Sequence, residues 1–203
     1  MKILFIGCHC DDIELGCGGT LYQLSKKHEV KCLVLSSTGR GQFPELHSDS
    51  TRALKLLGAT NISFRQHMPS SFPEQRQSVW EALHYVQLEF EPDVVFTQEP
   101  DDHQDHVVLA EETIRNFRRS SIIQYTVMRS CMGFVPNFFV RLTREEVDAK
   151  IAALSHYSMY TKSKNYFRAE NIEAQIRASG VYVEEEFVEA FKIVKMFSHH
   201  NLI

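Results

Sequence analysis

The fold of this chain is decided near its start, where residues 3–20 read ILFIGCHCDDIELGCGGT. Residues 3–7 form a short apolar run, rich in β-branched and aromatic side chains, which predicts a buried strand. Apolar residues recur at helical spacing after the glycines, so His9, Asp11 and Asp12 are expected in the loop between the first strand and the first helix. In open α/β sheets, ligands bind at this edge.

The imidazole and the two adjacent carboxylates of this loop contribute nothing to a hydrophobic core. Packed so closely, they would repel one another unless a positive charge held them in place. A divalent cation is the simplest group that supplies such a charge. The loop therefore predicts a metal site.

Downstream, short apolar strands alternate with helical segments, which predicts a mostly parallel sheet with helices on both faces. The expected fold class is α/β, a three-layer, Rossmann-like arrangement around a mostly parallel twisted sheet, in a single domain of residues 1–203. Strands are predicted at 2–7, 30–36, 61–65, 93–97, 121–128, 138–142 and 191–194. Helices are predicted at 19–27, from Ser48 or Asp49 to 57, at 74–90, after Asp101 or Asp102, at 143–156 with Thr143 and Glu146 as a capping box, and at 165–177.

The composition excludes several classes of protein. With 203 residues, 43% of them hydrophobic, the chain can bury a substantial core. Its net charge of −4, with both signs dispersed, indicates neither a nucleic-acid partner nor a polybasic membrane patch. No apolar run approaches the roughly 20 residues of a membrane span. Five cysteines without a secretion signal indicate free thiols, so a cytoplasmic location is expected.

A second polar stretch follows the predicted fourth strand, where residues 98–106 read QEPDDHQDH. This is again a strand-to-helix loop at the same edge of the sheet. His103 and His106 are three residues apart in the first helical turn and project from one face. Each stretch alone is as well explained by helix capping and solvated surface. Together they supply more than the three N or O ligands that a catalytic zinc takes while leaving a position for water.

The glycines of the first stretch suggest a dinucleotide-binding loop as an alternative. However, Gly16, Gly18 and Gly19 do not have the G-x-G-x-x-G spacing. Asp11 and Asp12, directly after the strand, would also repel a pyrophosphate. The dinucleotide interpretation is therefore weak.

The motifs resemble those of the PIG-L/LmbE-like family of zinc-dependent N-deacetylases, which include N-acetylglucosaminyl deacetylases. That family has a His-Pro-Asp-Asp-Glu motif running into Gly-Cys-Gly-Gly-Thr, and later His-x-Asp-His. Here residues 9–13 read HCDDI, residues 16–20 read GCGGT and residues 103–106 read HQDH. Weaker local sequence similarities extend the resemblance over nearly the whole chain. The departures are Cys10, where the family has proline, and Ile13, where it has an acid.

The resemblance implies that His9, Asp12 and His106 bind a metal ion. The implied ion is Zn²⁺, with Fe²⁺ or another divalent metal as the alternative. We expect the ligand set to survive both departures, because the spacing of the first motif is unchanged.

The resemblance also implies roles for the remaining polar residues of the two motifs. Asp11 would be the general base. His103 would be the imidazolium that stabilises the oxyanion or protonates the leaving amine. Asp105 would orient a neighbouring histidine.

The implied reaction is removal of the acetyl group from a small-molecule substrate, an N-acetylated amino sugar or sugar conjugate. Arg40 and Arg65, at the same edge of the sheet, are candidates for binding the sugar hydroxyls or a phosphate. The aromatic segment 157–167 is either part of the core, a sugar site or a subunit interface. Assembly into a homo-oligomer stays open.

Two other classes of function stay open at this point. One is a metal-dependent hydrolase of another bond, such as a phosphoester or a different amide. The other is a non-catalytic module that binds a metal or a nucleotide. An intact Asp11 argues against the second, because a binding module has no need of a general base.

Overall fold

The computed structural model describes residues 1–37 and 45–198 of the chain. Within these residues the strands are β1 (Lys2–His9), β2 (Glu29–Ser36), β3 (Asn61–Phe64), β4 (Val94–Gln98), β5 (Ser121–Tyr125), β6 (Phe138–Arg141) and β7 (Val188–Lys195). The helices are α1 (Asp12–Ser25), α2 (Leu46–Leu56), α3 (Arg76–Phe90), α4 (Gln104–Asn116), α5 (Arg144–Ser155), α6 (Ser158–Ser163) and α7 (Ala169–Gly180). No helix of this described part is long and apolar enough to cross a membrane.

The described strands form one sheet in the order β3-β2-β1-β4-β5-β7-β6. The first five strands along the chain pair in parallel, whereas β7 is antiparallel to both β5 and β6. From β1 the strand order proceeds outward through β2 to β3, and from β4 it proceeds outward on the other side, so the switch point of the sheet lies between β1 and β4. At such a switch point the loops after the two strands diverge and leave a crevice. The α/β fold with a mostly parallel sheet is thereby confirmed.

Hydrophobic side chains cover both faces of the sheet. Along β1, Ile3 and Phe5 belong to one core, which also contains residues of α1, α2, α5 and α7. Leu4 and Ile6 belong to a second core, which contains residues of α3 and α4. Because both faces are covered, the inner strands are continuous apolar runs rather than alternating ones. This accounts for the ease with which the sequence predicts them.

Helix α1 begins at Asp12, not near residue 19 as predicted, so most of the glycine-rich stretch is helical, with a kink at Cys17 (φ −146°, ψ 25°). The reason is packing, which overrides the low helix propensity of glycine. A Cβ atom on Gly16 would lie 2.0 Å from Cδ2 of Tyr125, and one on Gly19 would lie 2.5 Å from Cδ1 of Leu142. The glycines therefore allow α1 to approach β5 and the end of β6 closely.

We expect Gly16→Ala to lower the free energy of unfolding by about 3 kcal/mol, because the new methyl group overlaps the buried Tyr125 ring. That ring is fixed by its hydroxyl, which donates to the carbonyl of Ile6 (2.7 Å). Urea unfolding measures the change. Gly133→Ala is the matched control, since no atom lies within 4 Å of its Cβ position. Equal unfolding midpoints for the two variants would contradict the packing argument.

Other predicted boundaries also shift. Helix α2 begins at Leu46, before Ser48, because Glu45 rather than a serine or aspartate stands at its N-cap. The predicted helix 165–177 is a 3-10 turn (Asn165–Phe167) followed by α7, and the short polar α6 precedes it. A six-residue helix has too few turns to show a hydrophobic period, so α6 has no clear sequence signal. The capping box of Thr143 and Glu146 at the start of α5 is confirmed.

Candidate active site

A cavity of about 290 Å³ lies at the carboxyl ends of β1 and β4, at the switch point of the sheet. Most of the residues predicted for the site line it. The lining residues are His9, Cys10, Asp11, Asp12, Leu15, Ser36, Leu46, Pro69, Ser70, His103, His106, Val127, Arg129, Ser130, Tyr160, Lys164 and Tyr166. Asp105 does not line the cavity, but it is fully buried and bonded to a histidine that does.

The turn from β1 into α1 places the first motif. His9 is the last residue of β1, and Asp11 is the N-cap residue of α1 with φ 100° and ψ −25°. This left-handed conformation is uncommon for a residue other than glycine, and strained residues of this kind concentrate at functional sites. Asp12 opens the helix, and its Oδ2 accepts the backbone N–H of His9 (2.7 Å). The sharp turn thus brings both carboxylates beside the imidazole.

Asp105 holds His9 from the opposite side. Its Oδ2 accepts a hydrogen bond from Nε2 of His9 (2.9 Å) and from the backbone N–H of Ser70 (2.6 Å), and its Oδ1 accepts from the N–H of Phe72 (3.0 Å). Burial raises the pKa of Asp105, but His9 and the two backbone donors outweigh it and lower the pKa below its usual value. A carboxylate with these donors stays ionised and fixes the orientation of the imidazole.

Asp101 performs the same task for His106. Its Oδ2 accepts from Nδ1 of His106 (2.8 Å) and from the hydroxyl of Ser130 (2.7 Å). With its Nδ1–H donating to Asp101, His106 presents the lone pair of Nε2 to the cavity. Nε2 lies 2.9 Å from the amide nitrogen of Gln98. The sequence predicts Asp101 only as a helix cap and gives no signal for these contacts.

The N-cap of α4 is His103, neither Asp101 nor Asp102 as predicted. Its Nδ1 accepts the backbone N–H of Asp105 (3.2 Å), while Asp101 accepts the N–H of His103 itself (2.8 Å). Because Nδ1 is an acceptor, His103 is neutral and has its proton on Nε2. Burial, His106 and His9 all lower its pKa. The role of His103 as an imidazolium stays a prediction, and in this arrangement its lowered pKa favours the neutral ring as a donor.

The two adjacent aspartates titrate differently. Burial and the charge of Asp12 raise the pKa of Asp11 well above its usual value. For Asp12, burial opposes ionisation, but His106 and His9 outweigh it and lower the pKa. Burial by itself would lower the pKa of His9, whereas hydrogen bonds to Asp105 and Asp12 raise it to about 10. The carboxylates of the cluster thus favour a positive charge beside them.

Asp12 lies at ligand spacing from one nitrogen atom of each of two histidines. Among the described residues, the triplets of donor atoms that lie mutually within 4.8 Å are Cys8, Asp12 and His106, and His9, His103 and Asp105. Oδ2 of Asp12 lies 3.4 Å from Nδ1 of His9 and 3.8 Å from Nε2 of His106. Ligand atoms about 2.1 Å from a tetrahedral zinc ion are about 3.4 Å apart. Cys8 also has its sulfur within 4.8 Å of the Asp12 and His106 donors. A metal bound at Nε2 of His106 would replace the hydrogen bond to Gln98.

Of the two candidates for substrate binding, the structure describes only Arg65, and it does not line this cavity. Arg40 lies outside the described residues. The Arg65 guanidinium lies 6.0 Å from the ring centroid of Tyr85 and donates to the carbonyl of Phe64, away from the residues that line the cavity. A strand-end position places the backbone of Arg65 near the edge of the sheet, but it does not direct a long side chain.

The cavity instead contains two cations and two tyrosines from the second half of the chain. Arg129 follows β5, and Lys164 follows α6 between Tyr160 and Tyr166. The aromatic residues of segment 157–167 therefore lie in two places. Tyr160 and Tyr166 line the cavity, whereas Tyr157 and Phe167 are buried in the core. The clustering of aromatic residues in segment 157–167 was the only sequence signal for this part of the cavity lining.

The departures from the family motif are accommodated in the core. Cys10 is buried with its sulfur 3.9 Å from the carbonyl of Ser36, and burial raises the pKa of its thiol. Ile13 is fully buried.

Glu14 is also fully buried, and its Oε1 accepts from the hydroxyls of Tyr157 (2.6 Å) and Ser50 (3.3 Å). Its Oε2 has no hydrogen-bond partner among the described residues.

We expect the buried Glu14 carboxyl to make stability depend on pH. Burial raises its pKa from 4.5 to about 7, so between these values the folded chain binds a proton that the unfolded chain has lost. Stability therefore falls as the pH rises through this range. Relative to Glu14→Gln, the metal-free wild type should lose about 2.5 kcal/mol of unfolding free energy between pH 5 and pH 8. Urea unfolding in chelator measures this difference, and parallel pH profiles for the two proteins would contradict it.

Residues 4–117, more than half of the chain, match the family model described as PIG-L, GlcNAc-PI de-N-acetylase. The chain belongs to the PIG-L family. It is 30% identical over 165 residues to YaiS, an uncharacterized deacetylase of Escherichia coli K12, and the match covers 76% of this chain and 89% of that protein.

Two solved structures show the same fold. A conserved protein from Thermus thermophilus is similar with a TM-score of 0.78 at 24% identity, over 99% of this chain and 98% of that chain. The N,N'-diacetylchitobiose deacetylase of Pyrococcus horikoshii is similar with a TM-score of 0.72 at 20% identity, over 100% of this chain and 88% of that chain. At these identities the likeness concerns the fold alone.

Proposed function

We propose that the protein is a metal-dependent N-deacetylase that hydrolyses the acetamide of an amino sugar or sugar conjugate. The PIG-L family, the deacetylase YaiS and the diacetylchitobiose deacetylase support this reaction class. The observation that carries the proposal is the position of Asp12 at ligand spacing from His9 and His106. The other nitrogen of each histidine is held by a carboxylate, as in many metal centres of proteins.

In this proposal His9, Asp12 and His106 hold the metal, and Asp105 and Asp101 orient the two histidines. When bound, a divalent ion polarises the amide carbonyl and lowers the pKa of water. Zinc is the ion we expect from the N/O donor set, with Fe²⁺ as the alternative.

The remaining residues supply proton transfer and charge stabilisation. Asp11 accepts a proton from the attacking water, because a bound cation beside it would favour the ionised carboxylate near neutral pH. The Nε2–H of neutral His103 donates to the carbonyl oxygen as that oxygen gains negative charge. As the C–N bond breaks, the proton held by Asp11 passes to the amine nitrogen. Water and amide are thus converted to acetic acid and the amine, which leave as acetate and the protonated amine at neutral pH.

The test is acetate release by metal-analysed protein from a panel of N-acetylated sugars and sugar conjugates. We expect release that stops with a chelator and returns when zinc is restored. Elemental analysis after anaerobic purification distinguishes zinc from iron. Phosphate release from a phosphoester panel without acetate would favour the alternative hydrolase, and stoichiometric metal without any turnover would favour the binding module.

We expect Asp101→Asn to weaken zinc binding about 10- to 100-fold, because the amide holds His106 less strongly than the carboxylate does. Competition with a chromogenic chelator measures the affinity. Asp102→Asn is the matched control, since Asp102 is the adjacent carboxylate and is exposed. Equal affinities of the two variants would show that Asp101 does not position a metal ligand.

A further inference from the structure

Two cations line the cavity beside the proposed metal ligands, and the proposed chemistry uses neither. Arg129 is exposed in the loop after β5, and Lys164 is half-buried after α6. Within residues 1–37 and 45–198, no carboxylate forms a salt bridge with either side chain. In contrast, Arg76, Arg115, Arg144 and Arg177 all form ion pairs with glutamate or aspartate.

The position of Lys164 is fixed by aromatic rings. Its ammonium lies 3.3 Å from the ring centroid of Tyr160 and 5.6 Å from that of Tyr166. Its backbone N–H donates to the carbonyl of Tyr160 (2.7 Å). These contacts hold the charged end at the cavity wall and reduce the entropy lost when it binds a ligand.

Lys164 and Arg129 are close enough to affect each other. Burial lowers the pKa of Lys164, the charge of Asp11 raises it, and the charge of Arg129 lowers it again. Two like charges that share a partly desolvated wall cost free energy unless an anion lies between them. Asp11 attracts Lys164 across the cavity, but no salt bridge joins the two within the described residues, so neither cation is neutralised by direct contact with a carboxylate.

We propose that the acetylated substrate carries an anionic group, a carboxylate or a phosphate, which Arg129 and Lys164 bind together at the cavity wall. This inference rests on the proposed function, because it concerns the substrate of that site. The planar guanidinium of Arg129 can bind two oxygens of such a group, and the Lys164 ammonium contributes a point charge. The two residues determine specificity and take no part in bond cleavage.

The test compares acetate release from charged and uncharged substrates of the same sugar. The charged compounds are N-acetylglucosamine 1-phosphate, N-acetylglucosamine 6-phosphate and N-acetylmuramic acid, and the reference is methyl N-acetylglucosaminide. We expect the wild type to prefer a charged compound in kcat/KM, and the phosphate and carboxylate arms identify which anion is bound. Lys164→Gln and Arg129→Gln should each lower that preference ratio about tenfold, mainly through KM.

Two further variants separate this role from a structural one. Lys164→Arg keeps the charge and should retain most of the preference, whereas Lys162→Gln removes an exposed lysine outside the cavity and should leave the ratio unchanged. Equal losses for charged and uncharged substrates, or a wild type without preference, would overturn the inference.

Failure of the proposed function gives a different result. If no compound releases acetate, calorimetric binding of the same charged compounds to wild type and to Lys164→Gln decides the anion site by itself. Binding that the variant weakens supports the site, and equal or absent binding contradicts it.

Discussion

Replacement of Asp11 by asparagine is expected to lower kcat for acetate release about 10²- to 10⁴-fold while the metal remains bound. The amide has the shape of the carboxylate but cannot accept the proton of the attacking water. Asparagine also tolerates the left-handed conformation of this position (φ 100°) about as well as aspartate, so the turn into α1 should be kept. Steady-state kinetics and metal content per chain are measured on the same sample.

Asp102→Asn is the control for this substitution, since it removes an exposed carboxylate from the second loop. It should retain both turnover and metal. Loss of metal from Asp11→Asn in proportion to the loss of turnover would make Asp11 a ligand instead of a base. Wild-type turnover in Asp11→Asn would remove the base from the mechanism altogether.

The charge of the cavity explains why Asp11, and not Asp12, is suited to be the base. Both carboxylates are buried, but for Asp12 the charge of His106 and the hydrogen bonds and charge of His9 outweigh burial and lower the pKa. Asp11 faces the repulsion of Asp12, which together with burial raises its pKa. Two neighbouring groups with pKa values moved in opposite directions are the usual basis for dividing a ligand role from an acid–base role.

The sequence predicted the sheet and the place of the site because both follow from local pattern. The inner strands are apolar runs, and residues that directly follow a strand must lie at its carboxyl edge. This accounts for His9, Asp12 and His106. They belong to two strand-to-helix junctions, and the order of the strands places these junctions side by side. Helix α1 was placed too late because its glycines fit against Tyr125, a partner far along the chain.

The contacts that complete the site depend on loops whose paths the sequence does not determine. Ser130 reaches Asp101 from the segment after β5, and Lys164 reaches the cavity from the end of α6. Neither belongs to a motif, and neither follows a parallel strand into a helix. Arg65, in contrast, satisfied the strand-end criterion, yet its guanidinium lies against Tyr85. Proximity to the edge predicts the backbone position better than it predicts the reach of a long side chain.

Replacement of His106 by alanine should abolish both zinc binding and acetate release. His106 contributes one of three proposed ligands, and two ligands do not hold zinc tightly enough for catalysis. In the wild type, metal binding adds about 2.7 kcal/mol to stability when free zinc is 100 times its Kd, so chelation should lower Tm. The Tm of His106→Ala should not respond to zinc or to chelator.

This thermal response separates loss of the ligand from loss of the fold. His106→Gln fills the same space and should show the same insensitivity to metal if the imidazole nitrogen is the ligand. His84→Ala is the matched control, because His84 lies on α3 against Trp80, away from the cavity, and should keep the metal-dependent Tm. If His106→Ala still binds zinc with the wild-type Tm shift, the ligand set is wrong, and the donors left beside Asp12 are His9 and Cys8. The proposed ligand set then fails even if acetate is released.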